Sequence, residues 1–122
     1  MNIYDCTTFY DEKMMMDVRF NVLNDDVHKF IVVESHYSHS GKKKDLNFDI
    51  NDYPKFKDKI IYISINEEPK DLFTDQEELS NPIYKRLNSI KRIEQSYEYM
   101  SKGILEALDD DLIIINAVSY TH

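Results

Sequence analysis

Glu34 closes an apolar run and opens a polar one: KFIVV is followed by ESHYSHSGKKK, residues 34–44. That segment holds a carboxylate, serine and tyrosine hydroxyls, two imidazoles, a glycine and three ammonium groups. Gly41 permits close backbone approach, and Lys42, Lys43 and Lys44 carry charge suited to neutralising a diphosphate. The same residues equally make a solvated basic turn with histidines on its rim. Glu34 is more constrained. A carboxylate at the end of an apolar strand must be partnered, because an unpaired buried charge is too costly. Its candidate partners are ligand hydroxyls, backbone amides or Arg19, and a functional and a purely structural role stay equally open.

The other reactive side chains are weaker candidates. His36 and His39 are three apart, but a loop gives that spacing no fixed geometry, so surface histidines are the simpler reading. Asp109, Asp110 and Asp111 look like metal ligands, yet they precede an apolar run. They belong at its amino edge, whereas open α/β sheets bind ligands at the carboxyl edge. A polar helix-to-strand turn explains them. Cys6 is the only cysteine, which excludes an internal disulfide and a multi-cysteine zinc site. It reads as a small buried thiol. Phe30, Tyr62 and Tyr97 fall on apolar strands or a helical stripe and are expected in the core.

The elements that must position these groups follow from periodicity. Phe30–Val33, Ile60–Ile65 and Leu112–Ile115 are short, nearly continuous apolar runs, as in strands covered on both faces. Asn2–Cys6 is a fourth candidate strand. Ile83, Leu87, Ile90, Ile93, Tyr97, Met100 and Ile104 recur at spacings of three and four, which predicts a long amphipathic helix. Asn81 suits its cap and Pro82 its first position, while Gly103 predicts a bend or end. Residues 11–23 fit either a helix or an alternating strand. Helix is preferred, with Asp11 and Glu12 in its first turn, where the macrodipole favours anions. Residues 36–58 and 66–82 read as irregular, with a solvated helix start at Asp75–Glu78. The order strand, helix, strand, loop, strand, helix, strand predicts a layered α/β sheet with right-handed crossovers.

Composition narrows the partners. With 122 residues the chain is one domain or part of one, long enough to bury a core. Fifteen basic residues against 23 acidic ones give a net charge of −8, which disfavours sequence-independent nucleic-acid binding. No 18-residue apolar run exists, so no membrane-spanning helix is expected. The N-terminus carries no signal-peptide pattern, and a cytoplasmic setting is the default expectation.

At this point the sequence becomes recognisable. The opening IYDCTTFYDEKMMMDVRFNVLNDDVHKFIVVESHYSHSGKKKDLNF resembles the start of glycosyltransferase family 17, which includes the bisecting N-acetylglucosaminyltransferase of N-glycans. The family pattern is a YDCFTFFNE-like strand and turn, then a helix with an LEIRL-like core. D-x-V-D-x-F-V-I-V-E-S and T-x-x-G-K-x-K-x-L-x-F follow. Tyr4, Asp5, Cys6, Glu12, Arg19, Glu34, Ser35, Gly41, Lys42 and Lys44 all match. His28 departs, standing where the pattern has aspartate. DKIIYI at 58–63 and DDDLIII at 109–115 match later strands, and residues 66–108 match only loosely.

The resemblance implies a GT-A-like, Rossmann-like, mostly parallel sheet with flanking helices, here truncated to a donor-side portion. It implies a parent enzyme that moves N-acetylglucosamine from a nucleotide-sugar donor such as a UDP-sugar to a glycan acceptor. A divalent Mn²⁺ or Mg²⁺, held by an Asp-x-Asp motif, would neutralise the leaving diphosphate. A further carboxylate would deprotonate the acceptor. Asp5, Glu34 and Ser35 are expected near the nucleotide-sugar edge, with Arg19 positioning a carboxylate. The family continues from III into S-D-x-D-E-I-P, whereas this chain reads Asn116, Ala117, Val118, Ser119, Tyr120, Thr121, His122. Ala117 and Ser119 stand where the aspartates belong. The chain as written is therefore expected to bind no metal and to transfer no sugar; either residues 117–122 are a non-native tail, which the abrupt end of agreement favours, or the chain is a degenerate homologue. The absence of a preceding anchor suggests a bacterial or viral style of parent. The rival readings are a small acidic α/β interaction module and an unrelated nucleotide binder. The transferase reading requires that parallel strands carry Glu34 and the residues after Ile115 to one rim.

Overall fold

The structure is a computed structural model that describes residues 2–107 and 112–117. Its elements are β1 (Asn2–Phe9), α1 (Lys13–Leu23), β2 (Lys29–Ser35), β3 (Ile60–Ile65), α2 (Gln76–Leu79), α3 (Pro82–Ala107) and β4 (Leu112–Ala117). The strands form a parallel sheet in the order β3-β2-β1-β4. The chain builds outward from β1 through β2 to β3, then crosses back to place β4 on the other side of β1. That reversal is a topological switch point, the place where open α/β sheets receive ligands. The expected α/β sheet with flanking helices is what the chain forms.

Alternation along the strands separates two apolar layers. Phe9, Phe30, Val32 and Ile60 face α1 and the 3-10 turns Ile50–Asp52 and Lys57–Lys59, packing with Met16, Phe20, Tyr53 and Phe56. Phe20 is fully buried, with Phe30 and Tyr53 at 4.7 and 5.0 Å between ring centroids. Burying each such ring contributes about 1.5–3 kcal/mol. Tyr4, Cys6, Ile31, Val33 and Ile65 face the other way, against Met100 and Ile104 of α3.

Several local expectations are corrected. Residues 13–23 are helical, but Asp11 and Glu12 precede the helix and no acid lies in its first turn. What fixes the helix is burial of Met16 and Phe20. Gly103 does not end α3, which continues to Ala107. A Cβ there would meet Ile63 Cδ1 at 2.6 Å and Ile31 Cγ2 at 2.9 Å, so the glycine lets helix and sheet approach closely. The apolar stripe of α3 is only partly core. Met100 and Ile104 are buried, whereas Ile83, Leu87, Ile90 and Tyr97 are exposed. The reason is length: 26 residues span about 39 Å as a helix, while the strands extend only about 20–27 Å. The amino-terminal half of α3 overhangs the carboxyl rim and packs on residues 66–79 instead. There buried Asn88 accepts from the Phe73 amide at 2.8 Å and donates to the Phe73 carbonyl at 2.9 Å.

Candidate functional site at the carboxyl rim

Register places the ends of the strands side by side. Glu34, next to last in β2, pairs with Phe9 of β1 and Ser64 of β3, and Ala117 at the end of β4 pairs with Thr7. All strands run the same way, so Glu34 and Ala117 reach one rim with β1 between them. The Asp109–Asp111 triplet and Ser119 lie outside the described residues.

The SHYSHSGKKK segment is a short hairpin rather than an irregular loop. The Lys44 amide donates to the His36 carbonyl at 2.7 Å, and the Ser38 amide to the Lys42 carbonyl at 2.9 Å. Ser38 Oγ accepts from the Lys42 amide at 3.1 Å, and Gly41 takes the tip with φ of 88°. That conformation favours glycine. Arg92 of α3 holds the tip: its Nη1 donates to the His39 carbonyl at 3.0 Å, while Nε and Nη2 bind Glu68 at 3.0 and 2.9 Å. A Cβ on Gly41 would fall 2.5 Å from that guanidinium.

Glu34 holds the base of the hairpin. Its carboxylate is fully buried and accepts four hydrogen bonds. Oε1 receives the Tyr62 hydroxyl at 2.7 Å and the Phe48 amide at 3.0 Å. Oε2 receives the Asn47 amide at 2.7 Å and Lys44 Nζ at 3.1 Å. Of the anticipated partners, backbone amides are present and Arg19 is not. Burial, then the bond to Glu34, push the Tyr62 hydroxyl well above its ordinary range. Phe48 is stacked between Tyr53 and Tyr62 at 5.4 and 5.0 Å, fixing the chain that leaves the hairpin.

Arg19 instead binds Asp5, with Nε and Nη2 at 2.7 and 2.5 Å from its two oxygens. Asp5 is fully buried and pairs with Phe30, four residues before Glu34, so it sits back from the rim. The hydrogen bond to Asp5 raises the Arg19 pKa, and the pair ties α1 to β1. Arg19 does position a carboxylate, in mid-strand. Cys6 lies alongside, pushed up to about 12 first by burial and then by Asp5.

A small pocket of about 30 Å³ opens on the α3 face of this rim. Thr8 and Phe9 from the end of β1 with Tyr10 just after it, Val33 and Ser35 from β2, Tyr37, Ser38, His39 and Lys44 from the hairpin, and Arg92, Gln95 and Ser96 from α3 line it. Of Asp5, Arg19, Glu34 and Ser35, only Ser35 is in its wall, joined there by His39 and by Lys44 of the lysine run. Glu34 points to the opposite face and shapes the pocket through Lys44. Neither cation at the wall is a bare charge, because Lys44 is matched by Glu34 and Arg92 by Glu68. The pocket therefore offers hydroxyls, an amide and compensated cations. Lys42 and Lys43 are exposed outside it.

Sequence reasoning missed Thr8, Arg92, Gln95 and Ser96. The last three fall at i, i+3 and i+4, one face of α3. That spacing is visible in the sequence, but only the overhang of α3 shows that the face meets the rim. His36 Nδ1 lies 3.2 Å from the Lys44 carbonyl, and no cluster of three or more His, Cys, Asp or Glu among the described residues could hold a metal. Among the same residues no helix is long and apolar enough to cross a membrane.

No curated protein and no solved structure matches the chain. A family profile, described as glycosyltransferase family 17, matches residues 1–119 and so spans both the hairpin and the end of β4. With nearly its whole length matched, the chain belongs to glycosyltransferase family 17.

Proposed function

We propose that the carboxyl rim, of which this small pocket is one part, receives the nucleotide-sugar donor, and that this chain is the donor-side, GT-A-like portion of an N-acetylglucosaminyltransferase acting on a glycan acceptor. The observation that carries the reading is the convergence of the β1 and β2 ends, the Glu34-braced hairpin and the end of β4 on one rim beside a pocket. In the parent reaction an acceptor hydroxyl oxygen bonds to the anomeric carbon of the sugar. The bond from that carbon to the diphosphate oxygen breaks, the nucleotide diphosphate leaves with the electron pair, and a carboxylate takes the hydroxyl proton.

This chain's part is binding. Ser35 and the Gln95 carbonyl oxygen are the polar wall groups that can meet uncharged parts of a donor, since the Ser38 hydroxyl is shared between Ser40 and the Lys42 amide and Gln95 Nε2 donates to the Glu67 carbonyl. Lys44 and Arg92 present partly screened positive charge. Glu34, through Lys44, Asn47 and Phe48, keeps the hairpin in place so that ligand ordering costs less. The described residues do not fit a divalent cation, since Asp5 is taken by Arg19 and Glu34 by four donors. No step is routed through a metal here. Ala117 and Ser119 supply no carboxylates where the family motif has aspartates, so the chain as written binds without transferring.

The test is an amide NMR titration with UDP-N-acetylglucosamine, with and without Mn²⁺. Saturable shifts confined to residues 35–44 and 92–96 are expected, stronger than those given by UDP-glucose. Shifts absent from both segments would overturn the donor site, and equal response to both sugars would overturn the assignment of N-acetylglucosamine.

A further inference from the structure

The outward face of α1 is apolar where a lone surface helix should be polar. Met14, Met15, Val18 and Val22 are 80, 67, 52 and 69 % exposed, and they fall within an arc of about 100° on the helix. Their contiguous area is on the order of a few hundred Å², the size at which apolar patches mark interaction sites. Methionine adapts its shape to a partner better than other apolar residues do.

The unpaired charge around the patch is mostly acidic. Asp11 precedes the helix, Asp17 lies on it, and Asp25 and Asp26 follow it, all exposed and without an ion pair among the described residues. Of the nearby cations, Lys13 is paired with Asp52 and Arg19 with Asp5, while Lys59 is hydrogen-bonded to neutral Asn24 and keeps its charge. Such a rim repels an anionic membrane. It also repels the same face of a second copy, which would set these carboxylates against their own kind. A cationic amphipathic helix satisfies both features, laying apolar residues on the methionines and valines and basic ones on the aspartates.

We propose that α1 is a docking surface for a basic amphipathic helix, on the face of the sheet opposite the rim pocket. The assignment is independent of donor binding, because no residue of the patch lines that pocket.

The probe is a synthetic Leu/Lys peptide of about 18 residues, roughly 27 Å as a helix, with a scrambled peptide of equal composition as control. Methyl NMR reads the methionines separately. The Met14 and Met15 methyls should shift saturably, while buried Met16 and Met100 should not. Val18→Lys, an exposed substitution that leaves the core intact, should weaken binding about tenfold, as should Asp17→Lys combined with Asp25→Lys. Loss of chemical-shift dispersion in Val18→Lys would be met by Val22→Lys, with the same expectation. Three results would overturn the proposal: unmoved Met14 and Met15 methyls, equal response to the scrambled peptide, or shifts of those methyls on concentrating the protein alone. The last would assign the face to self-association.

Discussion

Glu34 is the residue on which the hairpin's position depends, and Glu34→Gln tests this with almost no change of shape. Glutamine keeps one acceptor oxygen and replaces the other with a donor. With its nitrogen in the Oε2 position it would face the Asn47 amide and Lys44 Nζ, two donors that cannot reverse. In the Oε1 position it faces the Tyr62 hydroxyl, which can rotate to accept, and the Phe48 amide, which cannot. The second orientation is the cheaper one. It leaves one amide unsatisfied, costing about 1–3 kcal/mol. It also replaces the Lys44–carboxylate ion pair with a hydrogen bond from the ammonium to a neutral carbonyl, costing about 1 kcal/mol more. The expected loss is about 3 kcal/mol out of a total near 5–15 kcal/mol. With a urea slope of about 2 kcal/mol/M the unfolding midpoint should fall by about 1.5 M. Amide resonances of Asn47, Phe48 and the hairpin should move together. A midpoint shift below about 0.3 M would refute the reasoning. If donor binding were then lost, Glu34 would be a ligand contact and not a brace.

Gly103→Ala should destabilise although alanine is the better helix former. The propensity gain of about 1 kcal/mol is outweighed by about 1–3 kcal/mol of overpacking against Ile31 and Ile63, so a lower melting temperature is expected and a higher one refutes the close-approach argument. Gly41→Ala should cost about 1–2 kcal/mol through its positive φ and displace Arg92; unchanged Arg92 side-chain resonances would contradict this. The Cys6 thiol, pushed up to about 12, should be alkylated at pH 8 about a thousandfold more slowly folded than in urea, and rapid native labelling would show that the site is not closed. Tyr53, pushed up to about 12 first by burial and then by Asp52, is favoured neutral in the fold. Its contribution is complete below an unfolded value near 10 and is lost between pH 10 and 12, so urea midpoints should decline across that window and decline less in Tyr53→Phe.

The strands were legible because their burial is written locally. Phe30–Val33 and Ile60–Ile65 are apolar on both faces, and the parallel layering follows from the order of elements. Glu34 could be recognised as partnered from its place at the end of such a run, since desolvation forbids anything else. Its partners could not, because Lys44, Asn47, Phe48 and Tyr62 lie ten to 28 residues away in sequence. Arg19 was equally eligible until the register put Asp5, not Glu34, beneath α1. The α3 stripe misled for a related reason. Periodicity reports which residues share a helix face, but not how far the sheet extends beneath it.

The sequence alone determined the kind of layers this chain makes, the family it belongs to and the strand whose end carries the buried Glu34. Those depend on short-range pattern and motif order, which composition and spacing encode directly. Tertiary structure alone decided that Asp5 and Glu34 act as struts, that Ser35 meets Arg92 and Gln95 at one pocket, and that α1 leaves its methionines uncovered. Each of these is a contact between segments distant along the chain. Only the mutual placement of sheet and helices decides which of several chemically equivalent partners a buried charge or an apolar face obtains.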